Sequence, residues 1–190
     1  MIGGLILAAG AGTRFGPEPK LLASLDGKPL LEHAVAAMCA VSEIDQTVVV
    51  LGARADEVLA QVRLGCARPV ICAEWRAGIA ASLRCGVEAL PDAERVIVTL
   101  GDAPTITPAV IARFVNASPG TRASYDGRPG HPVVLGRSHV DAIAGLTGDQ
   151  GARDLLVRGA TIECVALSSG RDVDTAEDLE AIRHEARAIV

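Results

Sequence analysis

A glycine-rich segment near the start of the chain carries two cations at a spacing that suits phosphate binding. The segment reads Gly10-x-Gly12-x-x-x-Gly16, with Arg14 inside it and Lys20 shortly after it. Glycines that follow a strand let backbone N–H groups approach an anion closely. The guanidinium of Arg14 offers a planar pair of donors to a phosphate, and the ammonium of Lys20 adds a mobile point charge. These residues predict an anion site, and a glycine-rich turn with two solvated cations is the alternative they leave open.

The glycine spacing excludes two better-known nucleotide sites. A dinucleotide fingerprint reads G-x-G-x-x-G, opens a helix at once and needs an acidic residue ~20 positions later, at the end of the second strand. Here the second predicted strand ends at Leu51-Gly52-Ala53, without an acidic residue. A P-loop reads G-x-x-x-x-G-K-S/T, whereas Gly10 and Gly16 are six positions apart and Pro17 follows them.

Carboxylates at two distant points of the chain suit a divalent cation. Asp102 lies in Gly101-Asp102-Ala103-Pro104, directly after an apolar strand. Mg²⁺ takes one or two protein carboxylates and leaves its other positions to phosphates and water. Asp172 and Asp174 share one side of an extended segment, so either of them can complete a metal site with Asp102. The structural alternatives are a turn before proline at Asp102 and helix capping near Thr175.

Two glycine-containing segments in the last third of the chain are candidates for binding a second substrate. They read Gly127-Arg128-Pro129-Gly130-His131-Pro132 and Gly148-Asp149-Gln150-Gly151-Ala152-Arg153. Paired prolines and glycines predict a shaped loop in the first segment. His131 is a candidate contact for an acceptor, although a lone histidine is more often a structural hydrogen-bonding residue.

The elements that must position these residues alternate between strands and helices. Short apolar runs rich in β-branched residues predict strands over 2–8, 47–51, 69–73 and 95–100. Helical spacing predicts helices over 29–40, 55–62, 77–90 and 107–117. This alternation predicts an α/β fold with a mostly parallel sheet and helices on both faces. Right-handed crossovers then place the loops after residues 8 and 100 at one edge, where ligands bind in such folds.

The alternation ends near residue 120, where the sequence predicts a small C-terminal lobe that contains β-strands. Short strands over 122–126 and 132–135 are expected around a turn at 127–130. Short helices near 139–144 and 151–157, a late strand over 162–167 and a last helix that opens at Thr175 follow. We expect a single domain over residues 1–190, with a nucleotide-binding half at 1–118 and an acceptor-binding half at 119–190.

Composition narrows the class of partner and the compartment. The 190 residues carry a net charge of −5, and 2% of them are aromatic. The chain therefore lacks the basic field and the stacking surface that nucleic-acid binding requires. No apolar run approaches the ~20 residues of a membrane span, and no basic stretch typical of a signal peptide is present. Five cysteines, an odd number without a C-x-x-C pair, predict free thiols in a reducing compartment and hence a cytoplasmic protein.

Together these segments resemble the MobA-like nucleotidyltransferase family and, within it, the molybdenum cofactor cytidylyltransferase branch. The family start, L-A-A-G-x-(G/S)-x-R-(M/F)-G followed by P-K, is matched by Leu7 to Gly16 and by Pro19-Lys20. The family's G-D-x-P is matched by Gly101 to Pro104. The branch motifs P-G-H-P, G-D-x-G-A-R and D-x-D-T-x-E-D are present, and W-x-x-G-x-x-x-S-L-x-x-G appears as Trp75, Gly78, Ser82-Leu83 and Gly86.

The resemblance implies a Rossmann-like nucleotidyltransferase fold and a reaction that depends on Mg²⁺, with Mn²⁺ as the alternative ion. CTP and molybdopterin cofactor would give the cytosine dinucleotide cofactor and pyrophosphate. A molybdoenzyme or a chaperone is the protein partner that this role would involve.

Site residues are carried over from the same motifs. The catalytic residues would be Arg14, Lys20 and Asp102, and the metal ligands would be Asp102 and Asp174. The nucleotide-binding residues would be Leu7, Ala8, Ala9, Gly10, Gly12, Arg14, Lys20, Gly78, Ser82 and Asp102. The acceptor-binding residues would be Gly130, His131, Pro132, Asp149 and Arg153.

Three departures from the family pattern leave the nucleotide and the acceptor open. The approach to Lys20 through Pro17-Glu18-Pro19 is one residue longer than usual, Ala73 stands where the branch often has Asn, and Ala103 replaces a frequent Gln. GTP in place of CTP, or a sugar phosphate as acceptor, therefore remains an alternative. Two other classes remain as well: an NAD(P)-dependent oxidoreductase and a non-catalytic module that binds the cofactor.

Overall fold

The computed structural model describes residues 1–156 and 159–188, without the side chains of 153–154 and 186–188. The helices are α1 (Leu30–Cys39), α2 (Ala55–Gln61), α3 (Ile79–Glu88), α4 (Pro108–Ala112), α5 (Arg137–Ile143), α6 (Ala152–Leu155) and α7 (Ala176–Ala188). The strands are β1 (Ile2–Ala8), β2 (Ser24–Leu25), β3 (Lys28–Pro29), β4 (Gln46–Leu51), β5 (Arg68–Ile71), β6 (Arg95–Leu100), β7 (Arg122–Tyr125), β8 (Arg128–Gly136) and β9 (Thr161–Glu163). Short 3₁₀ turns lie at Lys20–Leu22 and Trp75–Ala77.

A mostly parallel sheet forms the centre of the described chain. Its strand order is β5-β4-β1-β6-β8-β7-β9, so β5 and β9 are the edge strands. Strand β1 pairs in parallel with β4 on one side and with β6 on the other. The chain moves outward from β1 to β4 and β5, and then crosses to β6 beyond β1. This reversal makes the carboxyl ends of β1 and β6 the topological switch point, which is the usual place for a ligand in such sheets.

Helices cover both faces of the sheet, as the alternation predicts. Buried side chains of α1, α2 and α4 pack on one face, where Met38, Val58 and Phe114 lie in one apolar cluster. Helices α3, α5 and α6 pack on the other face, where Leu83 and Ile143 lie in a second cluster. Both clusters consist almost entirely of aliphatic side chains, because the chain has few aromatic ones. No helix in the described residues is both long enough and apolar enough to cross a membrane.

The C-terminal strands extend the same sheet in an antiparallel direction. Strand β8 pairs antiparallel with β6 and with β7. The turn between β7 and β8 is Asp126-Gly127, so the turn expected at 127–130 is wrong. Both residues have positive φ, 52° and 74°, which is the conformation that a two-residue hairpin turn requires. Residues 128–130 therefore belong to the strand.

Glu163 explains why the hairpin turn forms where it does. Its carboxylate, at the end of β9, accepts hydrogen bonds from the Ser124 hydroxyl at 2.8 Å and from the Asp126 N–H at 3.0 Å. The Ser124 hydrogen bond, followed by hydrogen bonds from backbone N–H groups that include that of Asp126, lowers the pKa of Glu163. The strand predicted to reach 167 ends at Glu163, because the chain turns at Cys164 with a bond from the Leu167 N–H to the Cys164 carbonyl.

Helices α4 and α6 are about half as long as the sequence predicts. Helix α4 ends at Ala112 rather than near 117, because the N–H groups of Arg113 and Phe114 bond three residues back and tighten the chain into turns. Helix α6 spans Ala152–Leu155. The predicted end of this helix, Val157, lies outside the described residues.

Two of the cysteines form a disulfide, so the expectation that all five are free thiols is wrong. Cys39 and Cys66 are bonded, with a Cα–Cα distance of 5.8 Å, whereas Cys72, Cys85 and Cys164 are free. Helix α1 ends at Cys39 just before β4, and Cys66 precedes β5, the neighbour of β4. Topology thus brings the two cysteines to the amino ends of adjacent strands, a proximity that their separation of 27 residues does not reveal.

Gly86 allows α3 to pack closely on the sheet. A Cβ atom there would lie 2.4 Å from Leu5 Cδ1 and 3.0 Å from Val50 Cγ2. We therefore expect Gly86→Val to lower the free energy of unfolding by about 2 kcal/mol through overpacking, measured by urea denaturation. Gly145→Val is the matched control, because the nearest atom to a Cβ there is the Ala142 carbonyl oxygen at 3.6 Å. Equal effects of the two substitutions would contradict close packing at Gly86.

The disulfide should contribute measurably to stability. We expect Cys39→Ser to lower the free energy of unfolding of the oxidised protein by about 3 kcal/mol, because the bond restricts the unfolded chain. Urea denaturation with and without a reductant measures the difference. The variant should be insensitive to the reductant. A wild-type protein that is equally insensitive would show that the bond does not form in solution.

Candidate active site

The glycine-rich loop leaves β1 at the switch point and is attached to the strands on either side. The Ala53 N–H, just past β4, donates to the Ala9 carbonyl at 3.0 Å. The Gly101 N–H, just past β6, donates to the Leu7 carbonyl at 2.9 Å. These bonds fix the start of the loop between the carboxyl ends of β4 and β6, where a ligand is expected.

The loop then turns back and delivers Lys20 to the same edge. Gly12 has φ +62°, a conformation that glycine adopts without steric cost. A Cβ at Gly12 would lie 3.0 Å from the Lys20 Cβ, so the two residues are in close contact. Pro19 is extended and precedes the 3₁₀ turn in which the Leu22 N–H donates to the Pro19 carbonyl at 2.9 Å. The position of the lysine is therefore set by the local backbone.

Lys20 joins the two predicted metal-binding carboxylates. Its Nζ lies 2.5 Å from Oδ2 of Asp102 and 3.3 Å from Oδ1 of Asp174. Only 11% of the lysine side chain is exposed, compared with 20% for Asp102 and 33% for Asp174. An ammonium this well buried needs opposite charge to be stable, and the two carboxylates supply it. The structure thus brings together three residues that the sequence places 82 and 154 positions apart.

Arg14 completes the cluster from the solvent side. Its Nη1 lies 2.8 Å from Oδ2 of Asp174, and its Nη2 lies 3.1 Å from Oδ1, so the pair is bidentate. The arginine side chain is 73% exposed. This exposure leaves Arg14 free to exchange its carboxylate partner for a phosphate, whereas Lys20 is held in place.

Asp174 is positioned by a hydrogen bond and by a buried neighbour. The Val173 N–H donates to the backbone carbonyl of Asp102 at 2.8 Å, and the Val173 side chain is fully buried. Asp178 accepts hydrogen bonds from the N–H groups of Thr175 at 2.8 Å and Asp174 at 3.1 Å. The Thr175 bonds, followed by the Asp174 N–H, lower the pKa of Asp178. Asp178 therefore caps α7 and fixes the backbone of Asp174.

Asp172 lies beside the cluster without joining its ion pairs among the described residues. Partial burial of its carboxyl group, and then the negative charge of Asp102, raise the pKa of Asp172. The residue as a whole is exposed. The ammonium of Lys20 bonds instead to Asp102 and Asp174. Of the two carboxylates that the sequence leaves open as a partner for Asp102, Asp174 is the one that the geometry favours.

A cavity of about 80 Å³ opens beside this cluster. Its lining includes Leu7, Ala8 and residues 10–12 of the glycine-rich loop, together with Lys20 and Asp102. Ala53, Arg54 and Val58, from the region after β4, also line it. Sequence reasoning missed Arg54, although one signal was available: it follows β4 closely, at the edge where the other site residues were expected.

The cluster fits a hard divalent cation that shares its coordination with a substrate. Carboxylate oxygens of Asp102 and Asp174 both contact the Lys20 ammonium, and Asp174 also pairs with Arg14. No group of three or more potential ligand side chains is found in the part of the chain that is described. Mg²⁺ and Mn²⁺ favour oxygen ligands, and Mg²⁺ commonly takes one or two protein carboxylates together with substrate phosphates. A pair of carboxylates is therefore a suitable donor set.

The branch motifs around α3 and α6 contact each other. The Ala80 N–H at the start of α3 donates to the Gly148 carbonyl at 3.1 Å. A Cβ at Gly78 would lie 2.2 Å from that carbonyl and 2.9 Å from Asp149 Oδ1, so only glycine fits there. Ser82 is buried within α3, and among described residues the cavity lining includes neither Gly78 nor Ser82. The side chain of Arg153 lies outside the described residues.

Gly130, His131 and Pro132 lie at the carboxyl edge of the parallel strands. Val133 pairs with Val98, two residues before the end of β6, in the antiparallel β6–β8 register, so the residues before Val133 lie beside the carboxyl end of β6. The Tyr125 hydroxyl donates to the His131 carbonyl at 2.6 Å and fixes this part of the hairpin. Their contact with an acceptor remains a prediction.

Comparison with known proteins identifies the family and the fold. A family model described as the MobA-like NTP transferase domain matches residues 4–163. Nicotine blue oxidoreductase from Paenarthrobacter nicotinovorans is 35% identical over 191 residues, which cover 93% of each chain. The crystal structure of an Rv0371c homologue from Mycobacterium sp. strain JC1 has a TM-score of 0.84 and 30% identity over 100% of this chain and 98% of that one.

A second solved structure bears on the metal. Rv0371c of Mycobacterium tuberculosis, in complex with manganese, has a TM-score of 0.78 and 28% identity, covering 96% of this chain and 98% of that one. The family model spans most of the chain, and the relative from Paenarthrobacter covers nearly all of it. The chain therefore belongs to the MobA-like NTP transferase family and is a nucleotidyltransferase of that family.

Proposed function

We propose that this chain transfers CMP from CTP to molybdopterin cofactor and releases pyrophosphate. The observation that carries the proposal is the Lys20 ammonium between the carboxylates of Asp102 and Asp174, beside a glycine-rich loop at the switch point of the sheet. This arrangement provides cations for a triphosphate and carboxylates for its divalent ion in one place. The choice of CTP and molybdopterin rests on the branch motifs in the sequence.

The reaction needs positioning and charge neutralisation rather than a protein nucleophile. An oxygen of the terminal phosphate of molybdopterin attacks the α-phosphorus of CTP in line. The bond from the α-phosphorus to the bridging oxygen breaks, and pyrophosphate leaves with that electron pair. Such transfers are accelerated chiefly by orientation and by groups that stabilise developing negative charge.

In the proposal, the role of each cation in the cluster follows from how far its side chain is exposed. Backbone N–H groups from Ala8 to Gly12 hold the base and the phosphates. Buried Lys20, which lines the cavity, stabilises charge on the phosphate oxygens. Exposed Arg14 moves from Asp174 to the leaving pyrophosphate. Asp102 and Asp174 would hold a divalent ion, which when bound would neutralise the triphosphate and polarise its oxygens.

The proposed acceptor site is made of two regions that are distant in sequence from the glycine-rich loop. Gly78 and the Gly148–Asp149 segment pack together with no space for a side chain at Gly78. His131 lies on the hairpin beside the carboxyl end of β6. In the proposal these two regions hold the acceptor opposite the nucleotide, with Arg153 as a further cation for its phosphate.

An oxidoreductase is the second candidate, because the relative from Paenarthrobacter carries that name at 35% identity. Arg54 lines the cavity just beyond the second parallel strand. An arginine near that position suits the 2′-phosphate of NADP. Against this candidate, the Gly10–Gly16 spacing departs from the dinucleotide fingerprint.

We expect Asp102→Asn to lower the rate of pyrophosphate release by at least about 100-fold, because it removes a charge that the reaction centre requires. The asparagine retains the shape of the side chain and Asp174 still pairs with Lys20, so the variant should fold, but the loss of one carboxylate partner of a buried ammonium should lower the urea midpoint. Asp141→Asn is the control, since Asp141 forms an exposed pair with Arg137 on α5. Full activity of Asp102→Asn at saturating Mg²⁺ would remove Asp102 from the site.

The substrates are tested by measuring pyrophosphate release with molybdopterin and either CTP or GTP, and with CTP and a sugar phosphate. We expect release with CTP and molybdopterin, at least about tenfold faster than with GTP. Faster release with GTP, or with the sugar phosphate, would overturn the assignment of nucleotide or acceptor. Titration with NADPH addresses the second candidate: tight binding, together with no pyrophosphate release from any pair, would favour the oxidoreductase.

A further inference from the structure

Arg54 is the residue of the cavity wall that neither the motifs nor the proposed reaction accounts for. It is a non-glycine residue with φ +57°, in the left-handed region. The other non-glycine residues with positive φ among those described are Asp26 and Asp126, and each precedes a glycine in a hairpin turn. Aspartate tolerates this conformation well in such turns, whereas arginine does not.

Arg54 also breaks the usual rule for a helix start. It is the N-cap residue of α2, and its side chain makes no capping hydrogen bond. Serine, threonine, aspartate or asparagine at this position would satisfy a free N–H group of the helix. Backbone strain and a missing cap at one residue indicate that the position is retained for what its side chain does.

The guanidinium of Arg54 ties the glycine-rich loop to α2. Its Nη1 donates to the Pro17 carbonyl at 2.8 Å. Its Nε and Nη2 donate to the Glu57 carboxylate at 2.6 Å and 3.1 Å. A pair with Glu57 alone would be an ordinary contact between residues three apart on a helix surface. The third bond, to a backbone carbonyl 37 residues earlier, links the arginine to the segment between Gly16 and Lys20.

The segment that Arg54 holds is the one that leads to Lys20. Pro17 precedes Glu18 and Pro19, and this approach is one residue longer than the family pattern. Positions Gly10 and Gly16 are open, because a Cβ at either would meet nothing within 4 Å. Packing at these two positions is thus sparse, and polar contacts add to the apolar contact that Phe15 makes with the cluster of Leu25 and Leu30. Among these polar contacts are Arg14 to Asp174 on one side and Arg54 to Pro17 on the other.

We propose that Arg54 is a positioning residue that holds the glycine-rich loop closed over the nucleotide cavity and thereby keeps Lys20 facing Asp102 and Asp174. It acts through the loop rather than on the reacting atoms. The inference rests on the proposed nucleotide site, but it concerns the loop and is independent of which acceptor is used. Without Arg54 the open conformation of the loop is more populated. Part of the binding free energy of the nucleotide is then needed to close the loop, so the affinity for the nucleotide falls.

The test compares Arg54→Asn with Arg63→Asn. Asparagine accepts the left-handed conformation, so the first variant should fold, and Arg54→Gly provides a second variant that suits the same backbone. Arg63 is exposed just after α2 and outside the cavity lining of the described residues, so its variant controls for the loss of a surface charge.

Two measurements distinguish positioning from a merely structural role. If the closed loop becomes about a tenth as populated, the KM for CTP with Mg²⁺ should rise about tenfold, because apparent affinity falls with the competent fraction. The kcat should stay within about twofold of the wild type, since saturating nucleotide restores the closed loop. Trypsin should cleave the Arg14–Phe15 bond several-fold faster in Arg54→Asn than in the wild type, as followed by mass spectrometry, and Arg63→Asn should change neither quantity.

Three results would overturn the proposal. The first is an unchanged KM and an unchanged cleavage rate in both Arg54 variants. The second is a fall in kcat without a change in KM, which would place Arg54 on the reacting atoms. The third is an equal effect of Arg63→Asn. Cleavage needs no substrate, so a wild type that releases no pyrophosphate would refute the proposed function while the cleavage rates still decide the role of Arg54.

Discussion

The ammonium of Lys20 lies between one carboxylate from the middle of the chain and one from near its end, and much of the site architecture follows from this contact. Without a cation between them, the negative charges of Asp102 and Asp174 would repel each other. The ammonium of Lys20 would in turn be costly to bury without the two carboxylates. The three side chains therefore stabilise one another only when β1, β6 and the segment before α7 meet. The hydrogen bond from Val173 to the Asp102 backbone holds that meeting point at 2.8 Å. A triphosphate with its divalent ion brings negative and positive charge together. Its binding therefore leaves neither the carboxylates nor the cations of the cluster without an opposite charge.

Much of this arrangement could be predicted from the sequence, because it depends on signals local to each segment. Strands β1 and β6 have the predicted bounds, and the rule that parallel strands end at one edge suffices to bring Lys20 and Asp102 together. Capping by Asp178 is likewise a local pattern. The hairpin turn was misplaced because proline and glycine at 129–130 mark a turn as strongly as Asp126-Gly127 does. Only the contact of Glu163 with the turn, made from a distant strand, decides between them.

The parts that sequence reasoning missed depend on contacts between distant segments. The Cys39–Cys66 bond follows from which strands are neighbours, and the spacing of the cysteines carries no trace of it. Arg54 shows no motif, and its role emerges only from a carbonyl 37 residues away. Gly86 shows the opposite case, since it belongs to a branch motif although its contacts are with Leu5 and Val50 in the core. Motif matches in this family therefore mix residues that bind substrates with residues that allow helices to pack.

The edge strands of the sheet have a consequence for the behaviour of the protein in concentrated solution. An exposed edge strand offers unpaired N–H and C=O groups to any other extended chain. Here β5 has four residues and β9 has three, so each offers only a short ladder. Strand β5 also contains Pro69, which has no N–H to donate, and the charged Arg68. Both features discourage a foreign strand from extending the sheet, so the β-rich core of this enzyme is protected against growing into an intermolecular sheet.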